Sequence, residues 1–244
     1  MALFVSLALQ VGVNYSNDYS DGVRGTDDNR VGPIRLTATG LASPAAVKRA
    51  AFISFFLAAL AGLALAAISS WWIIFIGAAA IAAAWSYTGG KNPYGYRGLG
   101  DISVFLFFGV VATVGTYYVQ TLEITAKVLF ASIPMGSLSC ALLAMNNLRD
   151  RSEDEKAGKR TLAVRLGDRK SRLYFLALIL SAYIFAAFSA QIWSLVTLAT
   201  LPISLPLMRK VLAGTSGSAL IPLLGLTAKL QILFAICFAI SLSI

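Results

Sequence analysis

The sequence predicts an all-α, polytopic transmembrane helical bundle, and three observations support this prediction. Hydrophobic residues make up 58% of the 244 residues, and charged residues only 13%. The mean hydropathy is +0.76. Apolar runs of roughly 17 to 25 residues, the length that crosses a bilayer as a helix, recur along the chain. A soluble domain of this size needs much more polar surface, so we expect an integral membrane protein.

About eight helical spans are expected in order along the chain. The first is the helix from Met1 to Asp21, which has neither the basic start nor the small-residue cleavage site of a signal peptide. Small residues inside the later spans, as at Ala58–Ala67, suit close helix packing in lipid. The seven later spans are the apolar runs at about 47–68, 71–88, 102–122, 126–148, 172–190, 192–208 and 220–243.

The net charge is +9, and the distribution of basic residues predicts how the chain is oriented. Lys and Arg concentrate in alternate connections, whereas those near Ser69, Glu123 and Gln191 are nearly uncharged and Lys127 is the exception. By the positive-inside rule, the basic connections are cytoplasmic. This pattern indicates a membrane protein and not a nucleic-acid-binding one. The expected cytoplasmic loops cover about 22–46, 89–100 and 149–171.

Histidine is absent, which excludes a His-based hydrolase triad, a zinc site with His ligands and a His-ligated haem. The two cysteines, Cys140 and Cys237, lie inside apolar runs and indicate no disulfide framework.

Two short acidic segments each lie where an apolar run meets a polar loop. A carboxylate in hydrocarbon costs a few kcal/mol, so acids gathered at two span ends favour a cation or a functional role. Helical spacing places the acids of each segment on one face, and two such faces can hold magnesium by one or two carboxylates apiece. The sequence thus predicts a magnesium–diphosphate site at a membrane surface. The two faces comprise Asn14, Asp18 and Asp21, and Asn146 or Asn147, Asp150 and Asp154.

The loop after each acidic segment carries Arg and Lys, which neutralise phosphate oxygens well. Lys159, Arg35 and Arg30 are the candidates for this role. Each of these cations is explained equally well as part of an ordinary positive-inside loop.

Three longer patterns occur in order. The first is Asn17-Asp18-x-x-Asp21 with Arg24-Gly-x-Asp27 and Arg30-x-Gly-Pro-x-Arg35-x-Thr37. The middle one is Tyr87-Thr-Gly-Gly with Gly95-Tyr96-x-Gly-Leu-Gly100. The last is Asn146-Asn147-x-x-Asp150-x-x-x-Asp154-x-x-x-Gly158-Lys159-x-Thr161-Leu-Ala-Val-Arg165-Leu-Gly167. Together, and extending to about residue 172, they resemble the signatures of the UbiA-type membrane prenyltransferases.

The resemblance implies a UbiA-like bundle and a single membrane prenyltransferase domain over residues 1–244. That family usually has nine transmembrane helices, one of them before the first motif. This chain begins almost at the motif, so we expect it to lack the first helix. Asp101 stands where the family pattern has Glu.

The implied activity is Mg2+-dependent transfer of a polyprenyl group from polyprenyl diphosphate to 1,4-dihydroxy-2-naphthoate, with release of diphosphate and carbon dioxide. The product would be demethylmenaquinol, in menaquinone biosynthesis at the cytoplasmic face of a bacterial plasma membrane. Prenylation of another aromatic acceptor is the alternative within this fold. A cation-coupled transporter is the alternative of another class, but its site belongs near mid-membrane.

The resemblance also implies roles for individual residues. Asp18, Asp21, Asp150 and Asp154 are expected to hold the metal, and Asp101 to orient or deprotonate a ring hydroxyl. The remaining residues expected to bind substrate are Asn14, Asn17, Arg30, Arg35, Tyr87, Lys91, Tyr96, Asn146, Asn147, Lys159 and Arg165.

Overall fold

The computed structural model of the chain describes residues 1–26, 32 and 34–244, and these contain helices and no strand. The all-α prediction is therefore confirmed for this part of the chain. The helices are α1 (Ala2–Val23), α2 (Pro44–Ile68), α3 (Ile73–Ser86), α4 (Gly100–Val104), a π-helical segment (Phe105–Val111), α5 (Ala112–Thr121), α6 (Ala126–Lys156), α7 (Leu162–Ala190), a 3-10 segment (Gln191–Thr200), α8 (Leu201–Leu212) and α9 (Ile221–Ser243), with short 3-10 turns at Tyr94–Arg97 and Gly217–Leu220.

Each of the eight predicted spans lies on helix, but the number of membrane crossings stays a prediction. One apolar stretch of 51 residues contains two of the predicted spans, and α3 has only 14 residues. Within the described residues, five stretches are long and apolar enough to cross a membrane: Pro44–Ile68, Gly100–Thr121, Ala126–Lys156, Leu162–Leu212 and Gly217–Ser243.

Three of the long helices begin at a hydroxyl side chain that accepts a hydrogen bond from the first turn. Ser43 accepts from the Ala46 amide at 3.3 Å and precedes Pro44, which suits a first helical position. Thr125 and Thr161 cap α6 and α7 in the same way. Helix α6 ends at Lys156 and α7 begins at Leu162, so the connection that contains Lys159 is short.

The predicted loop over about 149–171 is wrong in its extent. Helix α6 continues to Lys156, and α7 begins at Leu162 with a break at Gly167 (φ 72°, ψ 175°). Hydropathy marks where a helix leaves lipid, and this helix extends beyond that point. An ion pair of 2.7 Å between Lys156 and Glu153 stabilises its last turn. The second acidic motif therefore lies on regular helix.

Helix α6 is the central element of the bundle. It packs against α7, α9 and the π-helical segment, whereas α1 packs mainly against α2. In its apolar window 67% of residues are buried, against at most 33% in the other four stretches. The core around it is continuous and includes Leu138, Met145, Phe175, Ile179 and Phe234.

The outer faces of the helices carry large apolar side chains that are exposed in the isolated chain. Phe56, Phe75, Phe188 and Ile236 are examples, distributed over four helices. In water such a surface would be unusually apolar, but in a bilayer it faces hydrocarbon of matching polarity. The exposed apolar belt and the five apolar stretches together identify a multi-pass membrane protein.

Candidate active site

The two acidic motifs meet at the side chain of Lys159. Its Nζ lies 3.2 Å from Oδ2 of Asp21, at the end of α1, and 4.0 Å from Oδ1 of Asp154, near the end of α6. The same ammonium lies 4.7 Å from the ring centroid of Tyr96. The structure thus brings one carboxylate from each motif to a single cation, between segments far apart in sequence.

The charges around Lys159 favour its protonated form. Burial opposes the ammonium, but Asp21, Tyr96 and Asp154 together raise the pKa of Lys159 above its ordinary value. Burial and the charge of Asp21 also raise the pKa of the Tyr96 hydroxyl. That hydroxyl keeps its proton and donates it in a hydrogen bond to Oδ1 of Asp21. Asp21 is therefore held by a cation on one oxygen and a phenol on the other.

Asp18 holds the first long loop where the chain returns to α2. Its two carboxylate oxygens accept the backbone N–H groups of Leu36 and Thr37, each at 2.8 Å. The side chain is buried on α1. A carboxylate has about four acceptor positions, so these two bonds leave room for a further partner. Asp18 therefore has a structural contact that its motif alone did not indicate.

Asp150 is paired with its neighbour Arg149. The Arg149 guanidinium donates from Nε and Nη2 to the two oxygens of Asp150, both at 2.6 Å. The same guanidinium lies close to Gly32 of the first loop, where an added Cβ would be 3.6 Å from it. Arg149 is buried. Sequence reasoning missed it because a basic residue at a span end looks like part of a positive-inside loop.

The loop between α3 and α4, the middle loop, is bound to the C-terminal end of α1 by side chains of the first and middle sequence patterns. Arg24 donates to the carbonyls of Thr88 and Gly90 and lies over the ring of Tyr96, 5.3 Å from its centroid. The Thr88 hydroxyl donates to Oδ1 of Asn17 at 2.8 Å. Arg24 and Thr88 were not among the predicted site residues. Both lie within the motifs, which was the signal available to find them.

Asp101 is buried in the first turn of α4 beside Tyr174 of α7. The two residues line a cavity of about 10 Å³ together with Asn147. Oδ1 of Asp101 has no hydrogen-bond partner among the described residues. A cavity of this size holds about one water molecule. Tyr174 was not predicted, because its helix agrees with the family only in hydropathy.

Tyr87 lies near Asp101 and near the two carboxylates that contact Lys159, and the charges of all three act on it. Burial, then the charge of Asp101, raises the pKa of its hydroxyl, with smaller effects from Asp21 and Asp154. Its ring packs edge-to-face on Tyr94, with centroids 5.5 Å apart. Tyr94 is itself fixed by bonds of its hydroxyl to the Ala83 carbonyl and the Ser103 hydroxyl. Tyr87 is thus a protonated phenol on a rigid support.

A basic cavity of about 460 Å³ adjoins the carboxylates. Lys91 and Arg165 line it, as does Tyr96, whose hydroxyl binds Asp21. The Arg165 guanidinium donates hydrogen bonds to the backbone carbonyls of Arg97 and Arg160. Its predicted role in substrate binding remains a prediction. The remaining lining residues are Asn92, Pro93, Arg97, Gly158 and Arg160.

The other predicted residues are distributed around this region. Asn14 is exposed on α1, and Asn146 donates to the Leu142 carbonyl of its own helix at 3.3 Å. Arg35 is half-buried where the first loop returns. Arg30 lies outside the described residues.

The donor set fits a divalent ion that arrives with a phosphate ligand. Within residues 1–26, 32 and 34–244 no three acidic or other metal-binding side chains form a ready-made site. Asp21 and Asp154 instead both lie against the ammonium of Lys159. Mg2+ is usually held by one or two carboxylates, with water and substrate phosphates completing its shell. Asp21 and Asp154 match that requirement.

Fold and site together define a helical membrane protein whose polar end gathers carboxylates, cations and tyrosines. Residues 1–219 match the UbiA prenyltransferase family, and the chain belongs to this family. The resemblance noted from the motifs is therefore confirmed.

Among curated proteins, the chain is 47% identical to the 1,4-dihydroxy-2-naphthoate octaprenyltransferase of Mycobacterium tuberculosis, covering 98% of this chain and 82% of that protein. It is 35% identical to the protein of the same name in Escherichia coli, over 99% of this chain and 82% of the relative.

A solved structure supports the same fold. It is described as "Structural and mechanistic insights into the biosynthesis of Digeranylgeranylglyceryl phosphate synthase in membranes". It superposes with a TM-score of 0.63 at 16% identity, covering 100% of this chain and 85% of the other. At that identity the likeness concerns the fold alone.

Proposed function

We propose that this protein transfers a polyprenyl group from polyprenyl diphosphate to 1,4-dihydroxy-2-naphthoate, releasing diphosphate and carbon dioxide. The acceptor is supported by the names of the M. tuberculosis and E. coli relatives, of which the chain covers 82% each. The donor is supported by one observation above all, the meeting of both acidic motifs at Lys159. The product would be a prenylated naphthoquinol used in menaquinone biosynthesis.

The diphosphate of the donor would bind where the carboxylates adjoin the basic cavity. Asp21 and Asp154 would hold Mg2+, with Asp18 and Asp150 as further ligands from the same helices. When bound, the metal supplies Lewis-acid stabilisation of the departing diphosphate. The protein's own cations also stabilise the negative charge of the departing diphosphate. Lys159 would bind phosphate oxygens directly, and Lys91 would do so from the rim of the cavity.

Loss of diphosphate leaves an allylic cation, which needs a site that excludes water. Tyr87 and Tyr94 lie in this region with their rings packed edge-to-face. The face of a tyrosine ring stabilises a nearby cation. Because burial raises the pKa of both hydroxyls, these phenols stay neutral and do not trap the cation as phenolates.

Asp101 would orient or deprotonate a hydroxyl of the acceptor. Its unpartnered Oδ1 is suited to accept a hydrogen bond from a hydroxyl of the naphthoate ring. Accepting that hydrogen bond draws the proton toward Asp101 and leaves more electron density on the hydroxyl oxygen and in the ring, which makes the ring a better nucleophile. Tyr174, across the small cavity, would hold the carboxyl in place. Attack at the ring carbon that bears the carboxylate forms the new C–C bond, and carbon dioxide then leaves with the electron pair returning to the ring.

We place this site on the cytoplasmic side of the membrane, with the prenyl tail along the apolar helices. The basic segments that surround the site support the orientation through the positive-inside rule. Each buried methylene of the tail contributes about 0.8 kcal/mol, so the helices can bind a long chain without polar contacts.

The test is an assay of the purified protein in lipid with a polyprenyl diphosphate, 1,4-dihydroxy-2-naphthoate and Mg2+. We expect a prenylated, decarboxylated product by mass spectrometry that disappears when EDTA removes the metal. Asp154→Asn should reduce turnover by about a hundredfold or more, the usual scale for losing an electrostatic group at the reacting centre. Glu153→Gln is the matched control, because Glu153 pairs with exposed Lys156. Preferential prenylation of 4-hydroxybenzoate, or undiminished turnover in EDTA, would contradict the proposal.

A further inference from the structure

The ammonium of Lys159 lies where a divalent ion would contact both motifs. It is 3.2 Å from a carboxylate oxygen of Asp21 and 4.0 Å from one of Asp154. Lys159 is 9% exposed, so the contact is shielded from water. The buried ammonium bridges two carboxylates, which repel each other when both are charged. This is the electrostatic function that a metal ion performs between acidic motifs.

We propose that Lys159 is a placeholder cation: it holds Asp21 and Asp154 together in the substrate-free protein and must leave Asp21 before a divalent ion can bind there. The inference rests on the proposed function, because it assumes a metal at the two motifs. Lysine and metal therefore compete for the carboxylates when no diphosphate is present. Once diphosphate is bound, the displaced ammonium binds its oxygens, and lysine and metal act together.

The local structure allows the side chain to move while its backbone stays. The Lys159 amide donates to the Asp154 carbonyl at 2.8 Å, and the next amide, of Arg160, donates to the Tyr96 carbonyl at 2.8 Å. The chain at this point is therefore fixed. The lysine side chain has four rotatable methylenes and one compact charge. The basic cavity that Tyr96 and Gly158 line lies beside it and can receive phosphate oxygens.

Binding of Mn2+ alone tests the competition, since this ion reports its binding by electron paramagnetic resonance. In protein held in lipid nanodiscs without diphosphate, Lys159→Met should bind Mn2+ about tenfold more tightly than wild type, because one unit charge a few ångströms away is removed. Lys159→Arg should stay near wild type. Lys156→Met is the matched control, three residues away in an exposed pair with Glu153, and should change little.

Addition of inorganic diphosphate should reverse the order, with Lys159→Met binding the Mn2+–diphosphate pair more weakly than wild type. Unchanged or weaker Mn2+ binding by Lys159→Met in the absence of diphosphate would overturn the inference. Neither measurement involves a prenyl donor or an aromatic acceptor. Failure of the transfer assay with naphthoate would therefore leave this result standing, and the two hypotheses fail separately.

Wild-type protein provides a second test that needs no variant to fold. Amine acylation followed by mass spectrometry measures how accessible each lysine is. Mn2+ should accelerate acylation of Lys159, and added diphosphate should slow it again, whereas the rate at exposed Lys156 stays constant. A Lys159 acylation rate that Mn2+ does not change would show a permanent salt bridge and would refute the placeholder role.

Discussion

Tyr96 joins the carboxylate cluster to the basic cavity through two different parts of its side chain. Its hydroxyl donates to Asp21, and its ring lies under the cations of Arg24 and Lys159. Tyr96→Phe removes the first contact and keeps the second. Hydrogen bonds to charged groups contribute about 1.5–3 kcal/mol, so we expect turnover to fall by about tenfold or more. Steady-state kinetics in lipid would measure the change.

Tyr94→Phe is the control for this prediction. The Tyr94 hydroxyl bonds to the Ala83 carbonyl and to Ser103, and neither partner is a site carboxylate. Loss of the Tyr94 hydroxyl should lower thermal stability and should have little effect on turnover or on its metal requirement. Equal kinetic defects in the two variants would show that the Tyr96 hydroxyl acts only through local folding.

Asp18 gives a prediction about a carboxylate that also holds a loop in place. Asp18→Asn turns one acceptor oxygen into an NH2 group facing the amide of Leu36 or Thr37. A buried donor left unsatisfied costs about 1–3 kcal/mol. We expect faster cleavage by trypsin after Arg35, even without metal, as well as lost activity. Glu153→Gln, in the exposed pair with Lys156, should keep the wild-type cleavage rate, and equal cleavage rates in wild type and Asp18→Asn would contradict the assignment.

At the scale of elements, a pair of glycines fixes how the π-helical segment crosses α6. A Cβ on Gly109 would lie 2.5 Å from Cα of Gly136, closer than any real contact. Because small residues let membrane helices approach closely, Gly109→Ala must push the two helices apart. Overpacking of this kind costs about 1–3 kcal/mol, and the melting temperature in detergent should fall. Gly115 lies in α5 and has open space around its Cβ position. Gly115→Ala should therefore leave the melting temperature nearly unchanged.

Element type and motif order were predictable, and contacts between motifs were not. The apolar runs predict helices because length and hydropathy decide that a segment crosses lipid, and helical spacing places Asp18 and Asp21 on neighbouring turns. The contact of Lys159 with Asp21 joins residues 138 apart and depends on where α6 ends, which hydropathy placed too early. Arg149 and Tyr174 act through partners that only the packed bundle brings near them.

At the scale of the whole molecule, the polar contacts tie three loops to one end of the bundle. Asp18 holds the loop between α1 and α2, Arg24 holds the middle loop, and the Arg160 amide donates to the Tyr96 carbonyl. These segments must therefore share one side of the membrane, whatever that side is. The basic residues among them predict that it is the cytoplasmic side.

Cysteine accessibility tests this orientation. In a background with Cys140→Ala and Cys237→Ala, single cysteines at Lys91 and Gly158 should react with an impermeant maleimide only in inside-out vesicles. Glu123 lies in the connection between α5 and α6, which is expected on the opposite side of the membrane. A cysteine there should react only in right-side-out vesicles. Reaction of Lys91 and Glu123 variants from the same side would contradict the bundle as described. Reaction of both site positions from the outside would keep the bundle and reverse its orientation, and polyprenyl diphosphate would then have to be supplied from outside the cell.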